Sequence, residues 1–232
     1  MKKILFLIML MTSVGAWAQQ ADSRQVVCLE TDSGNVSIAL YNETPQHRDN
    51  FLKLVGEGFY DGVLFHRVIN RFMVQTGDSL SRHAAPGQEL GDGFYETYQL
   101  PAEFRFPQLF HKRGAVAAAR EGDDINPERQ SSMCQFYIVT GHRFSPNALD
   151  DVEERVSQAT HDIFRFPPEV REAYQQVGGA PHLDTQYTVF GEVIEGMDVV
   201  DRIQRAATDD NARPLQDIRI RRAYVVDVGI TK

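Results

Sequence analysis

The chain has 232 residues, enough for one hydrophobic core of ordinary size. Hydrophobic residues make up 42% and charged residues 24%, which excludes a disordered or fibrous chain and fits a soluble globular one. The formal net charge of -8 argues against a nucleic-acid partner, which selects for a basic face.

The first element is an export signal. Lys2 and Lys3 precede the apolar run Ile4 to Met11, and Ala16-Trp17-Ala18 supplies small residues for cleavage. This layout predicts a signal peptide over residues 1–18, and its apolar run is too short to span a membrane. The mature protein is therefore expected to be periplasmic or secreted, with no membrane span. Residues 19–25 form a polar leader ahead of a domain over residues 26–232. Export permits a disulfide between Cys28 and Cys134, but nothing in the sequence brings the two together, so buried free thiols are expected.

Val26 to Glu30 and Val36 to Tyr41 read as a hairpin around Asp32-Ser33-Gly34. Thr44-Pro45 then starts a helix, with Thr44 as N-cap and Phe51, Leu54 and Val55 on its apolar face. Strands are predicted over Val63 to Ile69 and Phe72 to Gln75, followed by a long polar loop from Ser79 to Tyr98. Gly114 to Ala119, Gln135 to Thr140 and Thr188 to Ile194 are further strands. Gly196 to Arg205 is a short amphipathic helix, and Ile218 to Val228 a closing strand. Many short strands with two core helices predict a mainly β fold, a closed antiparallel eight-stranded barrel capped by two helices.

One stretch breaks the pattern. Leu149, Val152, Val156, Ala159 and Ile163 recur at helical spacing, as do Val170, Ala173, Tyr174 and Val177. Pro167-Pro168 separates the two runs and Gly178-Gly179 ends the second. A helical hairpin inserted over residues 145–179 is expected, covering the barrel surface near the groove, forming a partner or dimer contact, or walling the groove so as to shape substrate choice.

Common catalytic signatures are missing. There is no G-x-S-x-G elbow and no phosphate-binding loop, and the seven histidines show no metal-ligand spacing. No metal and no cofactor are expected. What remains is Phe65 to Asp78, FHRVINRFMVQTGD. This segment resembles the signature of the cyclophilin-type peptidyl-prolyl cis-trans isomerases. Three further segments resemble that family in the same order: Gly114 to Gly122 (GAVAAAREG), Cys134 to Ile138 (CQFYI), and Leu183-Asp184 with Tyr187 to Val193 (YTVFGEV). The resemblance runs from Val26 to Val228, apart from the insert.

The resemblance implies an enzyme (EC 5.2.1.8) that accelerates rotation about X–Pro peptide bonds. That barrier is about 20 kcal/mol, arises from amide resonance, and needs no bond to break. A fixed cation beside the proline nitrogen stabilises the twisted amide more than the planar one. By resemblance Arg67 is that cation, Phe72 lines the proline pocket, and Gln75 orients Arg67 and the substrate backbone. Met73, Tyr137 and Leu183 complete the pocket, Gln135 supports Gln75, and Ala119 and Arg120 flank the residue before proline. His66 and Phe136 are expected in the core, His66 as a hydrogen-bonded histidine.

His182 and Tyr187 stand at the rim, where the eukaryotic pattern has tryptophan and histidine, so weak cyclosporin binding is expected. The implied partners are proline-containing unfolded or loop segments of exported proteins. A proline-peptide-binding chaperone with little turnover is the alternative.

Overall fold

The computed structural model of the protein describes residues 24–92 and 96–226. The expected signal peptide, most of the leader and the last residues of the closing strand lie outside the described residues.

In chain order the strands are β1 (Val26–Thr31), β2 (Gly34–Leu40), β3 (Arg67–Ile69), β4 (Met73–Thr76), β5 (Gln99–Leu100), β6 (Ala115–Ala118), β7 (Ser131–Ser132), β8 (Phe136–Val139), β9 (Val189–Glu195) and β10 (Ile220–Val226). The helices are α1 (Pro45–Gly56), α2 (Pro146–Thr160), α3 (Pro168–Gln176) and α4 (Met197–Ile203). Eight strands form one antiparallel sheet in the order β10-β1-β2-β9-β6-β8-β4-β3. β5 and β7 form a separate two-stranded ladder that no sequence pattern had predicted.

The sheet is strongly curled, but it is not the closed barrel expected. The end strands β3 and β10 form no ladder with each other. The expected strand from Val63 shrinks to β3, because residues 62–65 leave the ladder to bridge the seam. Gly62 N donates to Ile220 O at 2.7 Å, Ile220 N to Val63 O at 2.9 Å, and Phe65 N to Ile218 O at 2.9 Å.

Strand alternation divides the buried side chains into two clusters. Val74, Val116, Ala118, Phe136 and Ile138 face inward against Phe51, Leu54 and Val55 of α1 and Val199, Val200 and Ile203 of α4. Their neighbours Met73, Ala115, Ala117, Tyr137 and Val139 face the other way, with Val189. Each fully buried large side chain of the inner cluster contributes roughly 1.5–3 kcal/mol of transfer free energy. The outer cluster is the floor on which the site is built.

Helix α1 starts after Thr44 as expected, but the Thr44 side chain makes no capping bond. The cap comes from Glu103, whose carboxylate accepts from Gln46 N at 3.3 Å and His47 N at 3.0 Å. The inserted hairpin forms, with α2 and α3 packed through Leu149, Val152, Val156, Val170 and Tyr174. Its sequence stripe ran too far. His161 takes a left-handed conformation that stops α2, so Ile163 falls beyond the helix and is 89% exposed; Ala159, in the helix's last turn, is exposed as well. Phe164 and Phe166 fill the position in their place.

Cys28 and Cys134 are both buried and not bridged to each other, as expected. No helix of the described residues is long and apolar enough to cross a membrane.

Candidate active site

β3 and β4 form a hairpin in which Arg67 stands directly opposite Gln75. That register lets the exposed Arg67 Nη1 donate to Gln75 Oε1 at 3.2 Å. Gln75 Nε2 in turn donates to Gln135 Oε1 at 3.1 Å. Gln135 is buried, and its Nε2 lies 3.3 Å from both Gly91 O and Glu96 Oε1. A single row of amides thus ties the guanidinium to the half-buried Glu96 carboxylate across three segments. Fixing the cation this way removes rotamer freedom that it would otherwise lose on meeting a ligand.

Gly77 makes the crossing of β4 and β8 possible. A Cβ there would lie 2.2 Å from Cys134 O, and its φ of +102° favours glycine. Asp78 then anchors the following loop. Its Oδ1 accepts from Leu80 N at 2.8 Å and its Oδ2 from Gly91 N at 2.7 Å.

Beside Arg67 lies a cavity of ≈ 330 Å³, whose lining includes Phe72, Met73, Tyr137, Leu183 and Tyr187. Ala119 and Arg120 form its far side. Met73 and Tyr137 are buried floor residues, while Phe72, Leu183 and Tyr187 are half-buried walls. A larger cavity of ≈ 610 Å³ adjoins it across Gln75, Gly91 and Ala119, and Gln135 lines that one. The smaller cavity has Met73 and Tyr137 as its floor and Arg67 at its edge, so it can hold a small ring and place a donor beside it.

The guanidinium of Arg120 is committed to the protein. It is 3% exposed, donates to Gln186 O and Glu121 O at 2.8 Å each, pairs with Asp123 at 2.6 Å, and lies 4.5 Å over the Tyr187 ring. Only its backbone and stem are left to flank the groove. His182 is exposed, with its ring 5.3 Å from that of Phe72, and stands outside the lining of both cavities.

His66 is buried as expected, but neither ring nitrogen has a hydrogen-bond partner of good geometry among the described residues. Burial pushes its pKa down to about 4, against the opposing pull of Asp78. It is a neutral core residue, with the Leu64 backbone and the Gln135 side chain as its polar neighbours. Gly91 and Glu96 support the site without having stood out in the sequence, and Asp78 supports it from the end of the FHRVINRFMVQTGD segment. Glu96 and Gly91 lie in an aperiodic loop, and Asp78 carried no expected role. Among the described residues no cluster of side chains could hold a metal ion.

The fold is that of the cyclophilins. Two solved structures of a Cryptosporidium parvum cyclophilin-type peptidyl-prolyl cis-trans isomerase, one in the presence of the dipeptide Ala-Pro, superpose with TM-scores of 0.61 and 0.60. They share 21% and 20% sequence identity with the chain, over 88% and 87% of its length and 98% and 99% of theirs. The family model for the cyclophilin type peptidyl-prolyl cis-trans isomerase/CLD matches residues 26–225. The chain belongs to that enzyme family, EC 5.2.1.8.

A Staphylococcus aureus (strain USA300) protein assigned as a peptidyl-prolyl cis-trans isomerase is 30% identical over 195 residues, 84% of this chain and 88% of its own length. A Streptococcus pyogenes protein assigned as a bifunctional phosphatase/peptidyl-prolyl cis-trans isomerase is 30% identical over 204 residues. That match takes in 87% of this chain, which spans only 38% of that relative's length.

Proposed function

We propose that the chain catalyses X–Pro rotation in exported proteins, with Arg67 stabilising the twisted amide over the cavity floored by Met73 and Tyr137. The observation that carries this reading is the Arg67–Gln75 bond at the edge of that cavity. A proline ring fits an apolar floor, and its nitrogen regains lone-pair character only when the amide twists. A cation held beside that nitrogen therefore favours the midpoint over either planar end state. Gln75 holds the guanidinium, Gln135 holds Gln75, and Phe72 and Leu183 close the ring's pocket. Ala119 and the backbone of Arg120 flank the residue before proline. Tyr187 walls the groove beside them, and His182 forms the exposed rim next to Phe72.

The test is catalysed cis–trans relaxation of a short Ala-Pro peptide by wild type and by Arg67→Ala. Equal rates would remove Arg67 from its role. Binding of the peptide with no turnover in either protein would favour the chaperone alternative. Export is supported by the Lys2-Lys3, Ile4 to Met11 and Ala16-Trp17-Ala18 pattern. N-terminal sequencing of the fractionated protein should begin at Gln19, and an intact Met1 in the cytoplasm would refute export.

A further inference from the structure

A buried polar chain leads from the inserted hairpin to the floor of the proline cavity. Tyr174 Oη of α3 donates to Asp184 Oδ2 at 2.6 Å. Asp184 Oδ1 receives the backbone N of His111 at 2.9 Å and faces its Nδ1 at 2.8 Å. His111 Nε2 lies 3.1 Å from Tyr137 Oη. All four residues are buried, the most exposed at 4%.

The bonding pattern assigns the protons. A backbone N–H can only donate, so Asp184 Oδ1 is an acceptor. With the carboxylate accepting, a neutral His111 carries its proton on Nδ1 and keeps its lone pair on Nε2. The Tyr137 hydroxyl must then donate to Nε2. His111 is not part of the cavity lining, so this proton is directed out of the cavity. Burial holds the Tyr137 phenol neutral by raising its pKa well above the usual value.

The insert is also joined to the cavity through the backbone. Gly179 bridges to Lys112 and His142, and Ala180 N donates to His111 O at 2.8 Å. A Cβ on Gly179 would lie 2.2 Å from His111 O and 2.6 Å from Tyr174 Cε1, so only glycine allows α3 this close. The chain then runs directly into Leu183 and Asp184.

We propose that Tyr174, Asp184 and His111 are positioning residues for the proline cavity. Through them the insert fixes the orientation of Tyr137 and keeps its donor away from the apolar ring. This rests on the reading of the cavity as the proline site. It gives the insert a part in substrate binding and not only in covering the barrel.

The experiment compares wild type, Tyr174→Phe, Tyr137→Phe and the double variant. Thermal unfolding and the KM and kcat for a short Ala-Pro peptide are measured for each. Tyr174→Phe is expected to raise KM about threefold to tenfold with kcat little changed, because it strips one hydrogen bond from a buried carboxylate. In the Tyr137→Phe background the same change should leave KM where it was, since nothing remains to be positioned.

A KM for Tyr174→Phe equal to that of wild type, or an equal rise in both backgrounds, overturns the proposal. Nitrogen-15 NMR of His111 in the unaltered protein gives a check that needs no variant to fold. A proton on Nδ1 supports the chain as assigned, and a proton on Nε2 overturns it. Wild type that neither binds nor turns over the peptide would instead refute the proline-site reading itself.

Discussion

Arg67 and Gln75 face each other across the β3–β4 hairpin, and their side chains meet at 3.2 Å on the cavity's edge. Antiparallel register places them there, so the pair forms with the hairpin and requires no ligand. Removing a preorganised donor from such a site costs about a hundredfold or more in turnover. Arg67→Ala should lose that much in kcat/KM for an Ala-Pro peptide, with its melting temperature unchanged because Arg67 is exposed. Most of the loss should persist in Arg67→Lys, which keeps the charge but not the planar fork. Gln75→Leu should fall between wild type and Arg67→Ala.

Helix α1 is held at its N-terminus by a residue far along the chain. Glu103 accepts from Gln46 N, His47 N and the His47 ring, the last at 2.7 Å. Thr44 Oγ1 is buried without a hydrogen-bond partner among the described residues. Glu103→Ala should therefore cost about 2–4 kcal/mol in denaturant unfolding, through the lost cap and the orphaned donors. Thr44→Val should change stability by less than about 1 kcal/mol, since no bond is lost. A larger loss from Thr44→Val than from Glu103→Ala would reverse the assignment.

The contrast between these two residues shows what the sequence could carry. Local pattern exposed the strands, the start of α1 and the hairpin insert, while the motifs that resemble the cyclophilins pointed to Phe72, Met73 and Tyr137. Each of those follows from alternation, capping or a short motif, which act between near neighbours. Phe136 and Tyr137 went to opposite faces as alternation requires. Partners brought together by topology were invisible. Glu103 reaches His47 over 56 positions and Asp184 reaches His111 over 73, and no spacing rule links them. The end of α2 was misread because the apolar stripe to Ile163 continued past His161, whose left-handed backbone breaks the helix. The seam was misread because β3 is short and residues 62–65 make only bridging bonds to Ile218 and Ile220.

At the rim, His182 offers an exposed imidazole beside Phe72. A flat inhibitor surface gains little from this ring compared with an indole, which carries far more apolar area. Cyclosporin should inhibit weakly, and His182→Trp should tighten inhibition roughly tenfold, the equivalent of about 1.4 kcal/mol. A stoichiometric titration of the unaltered protein at micromolar concentration would refute the first expectation. Unchanged inhibition of the variant would refute the second.

His66 makes the fold sensitive to acid. Burial lowers its folded pKa to about 4, whereas in the unfolded chain it titrates near the ordinary histidine value of 6.5. Between those values the unfolded chain binds a proton that the folded chain does not, so stability rises with pH in this window. The full contribution is present above pH 6.5 and is lost as pH falls towards 4. About 2 kcal/mol should disappear between pH 7.5 and pH 5 from this residue alone. His47 adds to the same trend, since burial lowers its pKa despite the Glu103 carboxylate. Urea unfolding at the two pH values measures the loss, and His66→Gln, which cannot titrate, should remove most of this share. If the variant loses as much stability as wild type between pH 7.5 and 5, the proton uptake lies elsewhere.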